Sequence, residues 1–109
     1  MTNDTKYTQI GGARVGWNSW IILNFSIPFA KITITHDEIS LKLSFFGLGK
    51  TYSIERKQIR FLTECNGMFS KGIIIEHKAS SCPEFMVFWS RNQDELKIKL
   101  ESLGYELLV

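Results

Sequence analysis

The sequence predicts a mainly β domain, a bent antiparallel sheet or barrel of about seven strands capped by a C-terminal α-helix. Three observations carry this reading. Between Ala30 and Ile54, apolar and polar residues alternate with a period of two, as in strands buried on one face. Glycine, proline and clusters of Asn, Asp and Ser interrupt the pattern at short intervals, as turns do. Only the C-terminal part changes to a helical period, with Leu96, Leu100 and Leu103 at i, i+4 and i+7.

The elements follow in order. Residues 1–12 read as a flexible tail ending at Gly11-Gly12, and residues 13–109 as a single domain. A first strand is expected from about Arg14 to Leu23, where Val15, Trp17, Trp20 and Ile22 favour extended backbone. Its register stays open, because Trp17 and Trp20 do not share a period-two face. Ala30, Ile32 and Ile34 face one way, and Lys31 and Thr33 the other. Ile39, Leu41, Leu43 and Phe45 alternate with Ser40, Lys42 and Ser44, and the short His36-Asp37-Glu38 link makes these two strands a hairpin. After the glycine turn Phe46-Gly47-Leu48-Gly49, Lys50, Tyr52 and Ile54 alternate with Thr51 and Ser53. Beyond the polar connector 55–58, a strand over 59–64 places Ile59 and Phe61 on one face and Arg60 on the other. Gly72 to Lys78 is β-branched, and Phe85 to Trp89 is continuously apolar. Ser90 with Gln93 forms a capping box for the helix, Asp94 and Glu95 suit its first turn, and Gly104 suits its end. The apolar segment Tyr105 to Val109 is expected to dock.

Composition bounds the function more than it defines it. The 109 residues supply one core, and 44% hydrophobic with 22% charged residues is ordinary for a globular chain. That excludes a collagen, a long coiled coil, a disulfide-dense toxin and a disordered chain. A net charge of +2 is too balanced for a dedicated nucleic-acid binder, so no nucleic-acid partner is expected. Met1 to Gln9 lacks an apolar leader, and the Trp20–Ala30 stretch is broken by Asn24, Ser26 and Pro28. A cytoplasmic location is the expectation. Two cysteines without a C-x-x-C pair argue for reduced thiols.

The stretches Asn24-Phe25-Ser26-Ile27-Pro28-Phe29-Ala30-Lys31, Phe69 to His77, and Pro83 with Phe88-Trp89-Ser90 resemble a bacterial pleckstrin-homology-like (PH-like) domain family. With the element order, the likeness spans roughly Gly11 to Gly104. It implies a non-enzymatic fold used for binding or self-assembly, and it transfers no ligand. The link expected between the first two strands, Asn24 to Pro28, carries no base, whereas phosphoinositide-binding relatives have basic residues there.

No constellation reads as catalytic or as a metal site. His77, Cys65 and Cys82 lack the tight spacing of zinc ligands, and a strand separates the two cysteines. His36 reads as a solvated turn residue and His77 as a strand-end histidine bonded to backbone. Asp37-Glu38 and Asp94-Glu95 are sequence neighbours rather than opposed carboxylates. Gly47-Leu48-Gly49-Lys50 lacks the spacing and the following helix of a phosphate loop. Cofactors are therefore expected to be none, and no small-molecule substrate is identified.

Two surface features remain. Phe45, Phe46 and Leu48 gather apolar bulk at a loop tip flanked by Lys42 and Lys50. Such a tip packs on the core, on a protein or second subunit, or on an anionic membrane. Arg56, Lys57 and Arg60 cluster before the fifth strand, as a solvated rim or a contact for an anion or acidic partner. The functional expectation is a binding or self-association module mediating protein contacts. The alternative is a peripheral membrane binder acting through the Phe45–Leu48 loop.

Overall fold

The computed structural model describes residues 6–45, 47–67 and 70–108. Its strands are β1 (Lys6–Gly16), β2 (Ile22–Thr35), β3 (Glu38–Phe45), β4 (Leu48–Glu55), β5 (Ile59–Asn66), β6 (Lys71–His77), β7 (Phe85–Trp89) and β8 (Leu107–Leu108). One helix, α1 (Gln93–Ser102), follows β7, and a 3-10 turn, Arg56–Gln58, joins β4 to β5. The strands form one sheet in the order β4-β3-β2-β1-β7-β6-β5-β8. Neighbours are antiparallel except β5 and β8, which run parallel. The sheet bends around its core without closing, and β4 and β8 are its edges. Mainly β with a C-terminal helix is thus the observed class.

Period-two alternation decides which face goes inward. Ala30, Ile32, Ile34, Ile39, Leu41, Leu43 and Ile54 are all buried, as the alternation predicts. Ile73, Ile75, Met86 and Phe88 meet them from β6 and β7. Leu96 and Leu100 of α1 complete the core from above.

The start of the chain corrects the sequence expectation. Residues 6–12, read as tail, belong to β1, whose buried Gln9 fastens the helix to the sheet. Gln9 Nε2 donates to Asn92 O (3.1 Å) and to the Tyr7 hydroxyl (2.7 Å). Its Oε1 accepts from the Ser90 hydroxyl and from the Arg91 N–H. Every polar group of this buried amide is satisfied, which offsets the cost of burying it. The strand expected from Arg14 to Leu23 is in fact the end of β1, a turn, and the start of β2. Asn18 makes that turn, its Oδ1 accepting from the N–H groups of Trp20 (2.8 Å) and Ile21 (2.9 Å).

Two further expectations shift. Arg60 is an extra residue in β5, since Ile59 pairs with His77 and Phe61 with Glu76. This bulge reverses the alternation, so Leu62 is buried and Phe61 faces solvent. The helix N-cap is Asn92, whose side chain accepts from the Glu95 N–H at 3.1 Å, and not Ser90. Gln93 reaches instead to Gly72 O and Glu64. The C-terminal segment docks as expected, with Tyr105 buried and β8 paired to β5 at Leu62 and Thr63.

Candidate functional site

The surface that stands out is one end of the molecule, built by two hairpins. In an antiparallel sheet the β1–β2 and β3–β4 connections lie at the same end, and the β2–β3 turn at Asp37-Glu38 lies at the other. The Asn18 turn throws Trp20 outward, leaving it 91% exposed. Leu48, at the start of β4, is 66% exposed.

Between these two points the strands part. β2 pairs with β3 only from Ala30↔Leu43 to Ile34↔Ile39, so residues 22–29 leave β3 behind and continue along β1 alone. Here β2 also bulges: Gly11 faces Ala30 and Ala13 faces Phe25, so β2 passes residues 26–29 where β1 passes Gly12. A Cβ on Gly12 would lie 2.6 Å from Phe25 O, so glycine is what lets the excursion lie this close. Ile27 and Phe29 are turned outward as a result. The parted strands enclose an apolar groove of about 530 Å³, with Leu23, Phe25 and Phe29 on one side and Ser44 and Phe45 on the other. The rings of Phe25 and Phe45 stand 6.0 Å apart across it.

The two hairpins themselves carry charge of one sign, while Glu84, just before β7, lies beside Trp17 at the same end and Lys6 lies at the other. Residues 6–36 and 39–54 contain no aspartate or glutamate but hold Lys6, Arg14, Lys31, Lys42 and Lys50. Lys31 lies directly opposite Lys42 across β2 and β3. Like charges so placed repel rather than stabilise a sheet. Among the described residues, none of Arg14, Lys31, Lys42 and Lys50 is within ion-pair distance of a carboxylate. The Lys42 stem runs over Gly49 toward the β3–β4 connection, its Cε 3.1 Å from where a Cβ on that glycine would be. The Lys50 ammonium lies 5.5 Å from the centre of the Tyr52 ring.

Of the residues singled out in the sequence, Lys42, Leu48 and Lys50 gather at this end. Phe46 lies outside the described residues. Trp20, Ile21, Leu23, Ile27 and Phe29 join the surface without having been anticipated. The missed signal was Gly16 with Asn18-Ser19, a turn hidden between apolar residues that read as one strand.

The second cluster is not one surface. Arg56 is spent inside the fold: its Nη1 donates to His36 O (2.8 Å) and Leu103 O (3.0 Å), and its Nη2 to Gly104 O. The guanidinium also stacks 4.3 Å from the centre of the Tyr105 ring. It thereby serves the open carbonyls at the C-terminal end of α1. Lys57 pairs with Glu55 at 3.4 Å on the exposed surface, and Arg60 occupies the β5 bulge, exposed.

His77 and Cys82 are occupied structurally. His77 Nδ1 accepts from the Ala79 N–H (3.0 Å), which leaves Nε2 to donate to Pro83 O (2.8 Å). Cys82, in the loop between β6 and β7, is buried in the core, and its Sγ lies 3.5 Å from Ser53 O at the sheet edge. Both cysteines are unbridged, and burial pushes the Cys65 thiol up from its ordinary range, away from thiolate character. Among the described residues no three His, Cys, Asp or Glu side chains gather as a metal site. No helix among the described residues is long and apolar enough to cross a membrane.

Comparison of the chain with protein-family models, with curated proteins and with solved structures finds no match.

Proposed function

We propose that this chain is a non-enzymatic binding module whose contact surface is the hairpin end. The supporting observation is the exposure of Trp20, Ile21 and Leu48 at the same end of the molecule as the apolar groove lined by Leu23, Phe29 and Phe45. Exposed apolar side chains gathered at one end beside an apolar groove mark interaction sites in folded proteins. The occupied state of His77, Cys82 and Arg56 supports a binding rather than a catalytic role. The PH-like likeness of the sequence points the same way, toward contact with a partner or a second copy.

A photo-crosslinking residue at position 20, compared with one at position 101 on α1, tests the surface in cells. Adducts specific to position 20 are the expected result. Equal labelling at both positions, or none, refutes the assignment.

A further inference from the structure

Resting on that reading of the hairpin end, we infer that its occupant is an anionic lipid bilayer, with Trp20, Ile21 and Leu48 entering the interfacial layer and the headgroups met by Lys31 and Lys42 from the outer face of the sheet and by Lys50 from the inner face. Three observations select this occupant. The first is charge: the two hairpins carry only cations up to the Asp37-Glu38 turn, and none of these lysines has a carboxylate within ion-pair distance among the described residues. An anionic surface relieves the repulsion between Lys31 and Lys42 that the fold leaves in place.

That charge also argues against a second copy docked end to end. Two such ends would bring the cations of the two hairpins together, and the hairpins themselves carry no carboxylate to meet them. The second observation is shape. Trp20 and Leu48 stand out from neighbouring connections at 91% and 66% exposure, rather than lining a concavity. A rigid protein partner needs a matched cavity for each, whereas a fluid interface accepts both. The third is composition: a tryptophan at the tip, aliphatic side chains beside it and lysines behind it follow the polarity gradient of a membrane interface.

The test is co-sedimentation of the whole chain with phosphatidylcholine vesicles, with and without about 30 mol% phosphatidylserine, at low and high salt. The protein is expected to partition only onto the anionic vesicles and to leave them at high salt. Its tryptophan emission shifts to the blue on binding, and Trp20→Ser abolishes that shift. At about 1 kcal/mol per lysine, Lys42→Gln with Lys50→Gln weakens partitioning on the order of 30-fold. Leu48→Asp reduces it below detection. Ile98→Asp, a change at a comparably exposed apolar residue on α1, leaves it unchanged. Each variant is first checked for a cooperative melt.

Equal binding to neutral vesicles, or binding that survives Leu48→Asp, overturns the inference. So does an absence of vesicle binding. If in that case Trp20→Ser or Leu48→Asp changes the mass found by light scattering, the hairpin end is a protein interface and only the bilayer falls. If neither measurement responds, the hairpin-end reading falls with it.

Discussion

Arg56 shows how a residue's chemistry is settled by what lies around it. In sequence it is one cation among three. In the fold its planar fork spans the β2–β3 turn and the end of α1, accepted by His36, Leu103 and Gly104 carbonyls. Hydrogen bonds from a charged donor are worth more than neutral ones, so Arg56→Met is expected to cost about 2 kcal/mol in denaturant melts. Arg56→Lys should recover little of this, because a point-like ammonium cannot serve several carbonyls in the same geometry. Tyr7 gives a second prediction. Burial, followed by the hydrogen bond to Glu95, raises its hydroxyl to about 12 from the ordinary 10.0. The folded state then holds that proton more tightly than the unfolded chain. Its contribution to stability is complete below pH 10 and is lost as pH rises from about 10 to about 12. Across that window the stability of wild type should fall relative to that of Tyr7→Phe, which lacks the titrating hydroxyl.

At the scale of elements, alternation was a sound guide wherever the strands are regular and a poor one wherever they bulge. β3 follows the alternation from Ile39 to Leu43 because nothing interrupts its pairing with β2. β5 does not, since the additional Arg60 exchanges the faces of everything after it. The bulge therefore has a sharp signature: Leu62→Ala should cost about 2–5 kcal/mol as a core truncation. Phe61→Ser should stay within about 1 kcal/mol, as surface changes do. An unbulged β5 would give the reverse ranking in thermal or denaturant melts. The hairpin end was half legible for the same reason. Lys42, Leu48 and Lys50 belong to regular strands and could be placed. Trp20, Ile27 and Phe29 depend on the Asn18 turn and the β2 excursion, whose hydrogen bonds and register arise between strands and leave little trace in local periodicity. The helix was placed correctly from Leu96 and Leu100, but its cap was not, because Ser90 was drawn into the Gln9 network.

For the whole molecule, the sheet is two antiparallel runs, β1–β4 and β5–β7, joined through β1 and β7. Native-state hydrogen exchange should show this. Amides shared between β1 and β7, around Ala13 to Gly16, are expected to exchange only on global unfolding. Those of β2 between Ile22 and Phe29 are expected to open earlier, since one edge of that segment has no strand beside it. The same join has a consequence for the newborn chain. β1 meets β2 almost as soon as both leave the ribosome, but its other edge must wait for Phe85–Trp89. At ordinary rates of translation that wait lasts on the order of several seconds. Throughout it, a strand edge lies bare on one side, so the nascent chain rather than the finished fold is where this protein is most open to mispairing and to the attention of chaperones.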